Sequence, residues 1–353
     1  MTTPSPRLPD DFLTVRPDWL ALHDEAALAP AMPIVDPHHH LWGHAGNPYF
    51  LPELLADTST GHRIEATVFV ECRAMYRADG PLEAKSLGET EFVNGVAAMS
   101  ASGQFGPTRA CTAIVGNVDL RWGARAYAAL EAHIAVAGGR FRGIRNGSAW
   151  DASGIRATSA NPPPGLLLDP DFRVGFASLA RLGLSFDAWL VQSQHADFLD
   201  LARAFPDTTL VLDHCGGPLG IGPYANRRDE VFATWRTSLQ AIARCPNVQI
   251  KLGGLGMHTL GFDFHQQARP PTSEALAHAW APYIETCIEA FGPQRAMFES
   301  NFPVDKGTCS YGVLWNAFKR IAAQYSSEEQ AALFSGTACR VYRIELPGVL
   351  TAA

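Results

Sequence analysis

The 353-residue chain has no apolar run long enough to cross a bilayer and no cluster of lysine or arginine. The first absence excludes a helical membrane span. The second removes the electrostatic footprint by which proteins hold nucleic acid or anionic lipid. The N-terminus lacks an apolar segment after a basic start, so no secretory signal is expected. Seven cysteines (Cys72, Cys111, Cys215, Cys245, Cys287, Cys309 and Cys339) are scattered without a single C-x-x-C pair. That odd, unpatterned set argues against a disulfide framework and fits reduced thiols in a cytoplasm. Internal repeats, low-complexity segments and a dividing linker are absent as well. The charge balance is only modestly acidic, 28 basic against 35 acidic residues for a net −7. The 47% apolar content is ample for a sizeable core and excludes a disordered chain.

What is present is an alternation. Short apolar runs predict strands at Pro33–Asp36, Ala66–Glu71, Ala110–Val115, Phe141–Arg145, Leu184–Leu190, Thr209–Asp213, Val248–Lys251 and Ala296–Glu299. Between them, apolar residues three and four apart predict helices at Leu87–Met99, Ala124–Ala137, Phe172–Leu182, Phe198–Phe205, Val231–Ala243, Ala275–Phe291 and Val313–Ala323. Eight strands alternating with helices are the count of a (β/α)8 TIM barrel, with an open doubly wound sheet as the alternative. Residues 1–31 read as an N-terminal extension with a short helix from Trp19 to Ala29. Residues 32–345 read as one barrel domain and 346–353 as a tail. Ser326-Ser327-Glu328-Glu329 is a capping-box start for a last helix through Phe334. Long segments after the strands (43–63, 148–170, 216–228 and 253–272) belong on the C-terminal face of a barrel, where chemistry sits.

The strand ends carry the polar residues. Asp36-Pro37-His38-His39-His40 closes the first strand, and a period of two sends His38 and His40 to one side and His39 to the other. Glu71, with Arg73 and Tyr76 beyond it, ends the second strand, and Arg145 and Asn146 end the fourth. Asp187 and Trp189 lie on the fifth, Asp213-His214 ends the sixth, and Lys251 ends the seventh. Glu299-Ser300-Asn301-Phe302-Pro303-Val304-Asp305-Lys306 follows the eighth. Burying such groups unpaired is costly, so their gathering at one end points to a ligand. Imidazoles on one side of a strand end can hold a metal, or polarise a carbonyl and position a water. Arg145 and Lys251 suit the oxygens of a substrate, or salt bridges. Arg73, Tyr76 and Tyr49 are further candidates to line a pocket, while Trp189 is expected to pack. His23, His195, His258 and His265 remain unassigned.

Four segments together resemble the amidohydrolase superfamily, in the amidohydrolase-related branch that contains sugar lactonases and 2-pyrone-4,6-dicarboxylate lactonase. They are Asp36-Pro37-His38-His39-His40-Leu41-Trp42, Leu210-Val211-Leu212-Asp213-His214-Cys215-Gly216, Met297-Phe298-Glu299-Ser300-Asn301-Phe302-Pro303-Val304 and Thr337-Ala338-Cys339-Arg340-Val341-Tyr342-Arg343. The resemblance implies a TIM barrel and a hydrolase. Its expected reaction is opening of a lactone or similar cyclic ester, a carboxylate-bearing aromatic catabolite or sugar acid. It also implies a small-molecule substrate with no nucleic-acid or membrane partner; a homo-oligomer is left open. Rival readings are a metal-dependent decarboxylase of a hydroxybenzoate-type acid and a non-catalytic binding barrel.

Two departures from the family pattern matter. Its aspartate after the eighth strand is Asn301 here, and an amide neither accepts a proton at neutral pH nor ligates a hydrolytic metal well. A substitute carboxylate must be Glu71, Glu299 or Asp305, and Glu71, at a position where a small polar residue is expected, is favoured. The expected catalytic set is therefore His38, His40, His214, Glu71, Asn301 and Asp305, with Arg145, Lys251, Arg73, Tyr76 and Tyr49 on substrate. If a single divalent ion, zinc or manganese, is bound, His38, His40 and His214 are its expected ligands. The missing aspartate tips the expectation toward a site without metal.

Overall fold

The computed structural model describes residues 12–155, 157 and 160–346. Eight strands form one sheet in chain order, and each pairs in parallel with the next: β1 (Pro33–His39), β2 (Arg63–Val70), β3 (Arg109–Gly116), β4 (Phe141–Arg145), β5 (Ser185–Ala188), β6 (Leu210–Leu212), β7 (Val248–Leu252) and β8 (Ala296–Phe298). The ends of this sheet meet just beyond β8. His39 bridges in parallel to Phe302, the His40 amide donates to the Phe302 carbonyl at 2.8 Å, and the Asn301 amide donates to the His38 carbonyl at 2.9 Å. The result is a TIM barrel.

Eight helices follow the strands: α1 (Leu51–Thr58), α2 (Leu87–Ala101), α3 (Ala126–Val136), α4 (Pro170–Leu182), α5 (His195–Ala204), α6 (Arg228–Ala243), α7 (Ser273–Phe291) and α8 (Tyr311–Ala322). Local chemistry sets their ends. Asp169 caps α4 by accepting from the Phe172 amide, Pro170 occupies the first turn where no N–H is needed, and Gly183 stops the helix in a left-handed conformation. None of the helices is long and apolar enough to cross a membrane, among the described residues.

Alternation along the strands divides the core in two. Val35, Ala66, Val68, Val70, Val115, Val211 and Met297 fill the barrel interior, while Ile34, Phe69, Ile114, Leu210 and Phe298 pack outward against the helices. Val341, Tyr342 and Ile344 join the interior cluster, so the C-terminal helix plugs the barrel.

Several boundaries differ from expectation. The short N-terminal helix spans Pro17–Leu20 rather than Trp19 to Ala29, and beyond it Leu22 and Leu28 stay exposed, so no apolar face is buried to stabilise a longer helix. The fifth strand stops at Ala188, and Trp189 and Leu190 belong to the turn beyond it. After the Ser326 capping box, the last helix passes through a π-turn at Ala332–Gly336 and continues over Thr337–Tyr342, beyond Phe334.

Candidate active site

β1 leaves the barrel with its phase intact. His38 and His40 face the centre, ring centroids 4.9 Å apart. His39 turns outward, where its Nε2 lies 2.8 Å from Thr67 Oγ1 against Phe69. Asp36, buried and pushed up to about 6 by that burial, acts as a latch: it accepts from the amide of Ser300 (3.0 Å) and the hydroxyl of Tyr311 (3.0 Å). The latch fixes the relative height of β1 and β8.

His214 enters from the end of β6. Its backbone has φ +55°, and Cys215 after it has φ +53°. Strict alternation would send Asp213 and His214 to opposite faces; the left-handed turn brings both to the centre. Gly254 after β7 leaves room for it. A Cβ there would lie 2.5 Å from the His214 ring, and φ is +67°. Trp189 packs its edge on the same imidazole, centroids 4.7 Å apart.

Glu299 joins the two histidines. Its Oε1 accepts from His214 Nδ1 at 2.7 Å and from the His214 amide at 3.1 Å. Its Oε2 stands 2.7 Å from His38 Nδ1 but is not aligned as a hydrogen bond. His40 donates Nδ1 to the Val70 carbonyl at 2.8 Å, which leaves Nε2 as an acceptor. Burial, then Lys251, His214, His40 and Arg145, hold His38 well below the ordinary imidazole range, so its ring is neutral. His40 is lowered likewise by burial and Arg145.

The two expected substrate cations are both paired with carboxylates. Lys251 is fully buried beneath the mouth, with Nζ 2.6 Å from Asp187 and 3.1 Å from Asp213, and Tyr342 donates to the same Asp187 oxygen at 2.6 Å. A fully buried ammonium needs such partners, and its Nζ also lies 3.2 Å from His38 Nδ1, at the floor of the histidine cluster. Arg145 donates Nε to Glu71 Oε1 at 3.0 Å and Nη2 to the Glu71 carbonyl, and its Nη1 lies 3.2 Å from His38 Nε2. Glu71, favoured from sequence as the free carboxylate, is therefore half of an ion pair; only Oε2 lacks a partner.

Asn301 does not stand alone. Its side-chain amide donates to Asp305 Oδ1 at 2.8 Å, and Asp305 Oδ2 accepts from the Gly256 amide at 2.9 Å. Burial pushes Asp305 up to about 7. Tyr49 lies outside the site. It is buried on the Trp42–Tyr49 hairpin, its hydroxyl donating to Asp57 at 2.7 Å, and the Asp57 carboxylate is also held by Lys306.

Two residues were missed. Asp213 is fully buried and neither of its oxygens has an aligned donor, although Lys251 and Arg145 Nη1 (3.7 Å) stand near. Its adjacency to His214 was the available signal. Glu89 on α2 accepts from the Cys72 and Ala74 amides and is pushed up to about 8 by burial and by Glu71. No motif marked it.

His38, Asp213 and His214 bring ligand-type atoms within 4.8 Å of one another, and all three are buried. His40, expected as a ligand, is not in that group, although its Nε2 stays available; Asp213 stands with the other two histidines instead. Two buried cations here, Arg145 and Lys251, face four carboxylates, Glu71, Asp187, Asp213 and Glu299. A carboxylate without an aligned hydrogen-bond donor, two imidazoles and more carboxylates than side-chain cations fit a divalent cation. Glu299 on His214 Nδ1 is the outer partner that orients such a ligand.

Beside Glu71 opens a cavity of about 390 Å³, lined by Arg73, Tyr76, Asn117, Trp122 and Asn146 among others. The Tyr76 hydroxyl and Glu71 Oε2 are buried there without partners.

Known proteins share this arrangement of chain. An uncharacterized protein, y4mH, of Sinorhizobium fredii is 35% identical over 325 residues, 88% of this chain and 98% of its own. An L-fucono-1,5-lactonase of Burkholderia multivorans is 27% identical over 327 residues, 89% of this chain and 97% of its own. The crystal structure of an amidohydrolase from Burkholderia multivorans with bound zinc superposes with a TM-score of 0.68, at 25% identity, covering 88% of this chain and 99% of that one. The sequence family described as Amidohydrolase matches residues 35–344, and the chain belongs to it.

Proposed function

We propose that this protein hydrolyses the lactone of a sugar acid or a similar carboxylate-bearing cyclic ester. The observation that carries the reading is the buried group of His38, Asp213 and His214 at the barrel mouth, one ion pair (Glu71–Arg145) away from a polar cavity. The similarity to an L-fucono-1,5-lactonase over 89% of the chain supports the sugar-acid side of that class.

In this reading His40 Nε2 and the two central imidazoles orient a water beside Asp213. The Asp213 carboxylate, free of aligned donors, takes a proton as the water oxygen bonds to the lactone carbonyl carbon. Arg145, positive at every working pH, lies beside the oxygen that gains charge. The ring C–O bond then breaks, and the departing ring oxygen recovers the proton from Asp213. A hydroxy acid leaves, releasing one proton to solvent. A divalent ion held by His38, Asp213 and His214 would add Lewis acidity to this site. Arg73, Tyr76 and Asn146 hold the remainder of the substrate in the cavity, and they suit hydroxyl and carboxylate groups.

A panel of aldonolactones and pyrone carboxylates in a pH-stat tests the proposal. Acid release with wild type, a raised KM in Arg73→Ala and Tyr76→Phe, and loss of turnover in Asp213→Asn are expected. Carbon dioxide from a hydroxybenzoate without acid release would make the barrel a decarboxylase. Neither product from any substrate would leave a binding barrel.

A further inference from the structure

A second group of ligand-type side chains lies away from the mouth cluster, in the segment after β7. His258, Asp263 and His265 bring ligand atoms within 4.8 Å of one another. The two imidazoles meet nearly perpendicular, at 89°, with centroids 5.5 Å apart. His258 Nδ1 is buried and has no hydrogen-bond partner, an arrangement that costs free energy unless something occupies it. Asp263 is exposed and takes a left-handed backbone, φ +52°, which aspartate tolerates better than most residues.

The loop that carries these groups is held on both flanks by other parts of the chain. On one flank the Gly220 amide donates to the Thr259 carbonyl at 2.9 Å, and Arg228 donates to the Leu260 and Gly261 carbonyls. On the other flank Arg16 donates to the His265 carbonyl, and Trp19 Nε1 donates to the Gln267 carbonyl at 3.0 Å. Hydrogen bonds from other parts of the chain thus hold both flanks of the loop that brings the ligand atoms together. Around zinc, ligands at about 2.0–2.1 Å sit roughly 3.3 Å from each other, so small rotations of half-exposed side chains close the set. Arg16 is the nearby cation that opposes an ion here, and Asp263 offsets it.

We propose that His258, Asp263 and His265 form a second, structural site for a divalent transition metal of the zinc class, with water completing the coordination. Two imidazole nitrogens and one carboxylate suit zinc, whereas calcium and magnesium ask for oxygen throughout. The metal clasps the loop whose Met257 packs against the cluster of Ala149, Trp189, Val191 and Leu219, the wall that touches His214. Binding there stiffens one side of the reaction site without entering the chemistry.

The test is zinc titration of untagged, chelator-stripped protein, followed by calorimetry, with cobalt absorption reporting tetrahedral nitrogen and oxygen ligands. The double variant His38→Ala/His214→Ala removes the mouth group. It should still bind one equivalent of zinc at about 10 µM or tighter, and zinc should raise its melting temperature. Adding His265→Ala should abolish that equivalent, and Asp263→Asn, an exposed change that leaves the fold alone, should weaken it about tenfold. If the double variant does not fold, His265→Ala alone should bind one zinc fewer than wild type. Zinc stoichiometry and affinity unmoved by both His265→Ala and Asp263→Asn would overturn the proposal, as would no zinc bound by the folded double variant.

Discussion

Glu299 Oε1 accepts the Nδ1 proton of His214 at 2.7 Å. A carboxylate in that place fixes the tautomer and turns the Nε2 lone pair of His214 away from it. Replacing it should therefore cost turnover more than binding. Glu299→Ala should lower kcat by about 10- to 100-fold, while Glu299→Gln, which keeps an acceptor oxygen, should retain more activity. Steady-state kinetics on the best lactone decides it; equal loss in both variants would assign the role to charge rather than to orientation.

The three adjacent histidines should separate by function. His38→Ala and His40→Ala should each reduce turnover about 100-fold or more, because both rings face the centre. His39→Ala should be much milder in turnover and should instead lose about 1–3 kcal/mol of stability, since it leaves Thr67 Oγ1 without the ring it faces. Urea denaturation alongside kinetics gives both numbers, and equal kinetic losses at all three would show that the strand phase is not what matters.

Lys251 distinguishes a structural cation from a substrate grip. With Asp187 and Asp213 both depending on it, Lys251→Met should destabilise the fold by about 3–5 kcal/mol through uncompensated buried charge. A folded, stable variant with only a raised KM would return Lys251 to the substrate.

Asp305 should leave a signature in the pH dependence of stability. Burial raises its pKa from 3.8 to about 7 in the folded protein, so the folded state favours its protonated form. The contribution is complete below the unfolded value of 3.8 and is lost as the pH rises through about 7. Buried histidines such as His39, His133 and His195, each lowered to about 4, act in the opposite direction as the pH rises. Comparing variant with wild type cancels them. The melting temperature of Asp305→Asn relative to wild type should thus increase between pH 5 and pH 8. A flat difference would place the Asp305 titration outside that range.

Removing the space for His214 should mimic its loss. Gly254→Ala demands a left-handed alanine and a Cβ 2.5 Å from the imidazole. It should cut turnover at least about tenfold and destabilise the protein by about 1 kcal/mol or more; unchanged kinetics would show that the ring can move without consequence.

The amino-acid pattern by itself determined the barrel and the phase of its first strand. Period two along Ile34–His40 separates His39 from His38 and His40 whatever packs around them, and apolar spacing placed eight strands and seven of the helices after them, because both signals are local; the helix Leu51–Thr58 lay in a segment read as a loop. It also marked the strand ends as the polar pole, including Glu299 as an alternative carboxylate. What only the tertiary structure decided is who partners whom. Arg145 and Lys251 are cations at strand ends in sequence. In three dimensions β4 sits where Arg145 meets Glu71, and β7 sits where Lys251 meets Asp187 of β5 and Asp213 at the end of β6. Asp213 escaped because alternation sets it opposite His214, and the left-handed backbone of His214 cancels that alternation. Glu89 lay on a helix with no motif around it and gained its place only when α2 packed beside the Cys72–Ala74 turn. Tyr49 went the other way, claimed by Asp57 on α1. Such pairings depend on barrel register and side-chain reach across contacts far apart in sequence, and no local periodicity encodes them.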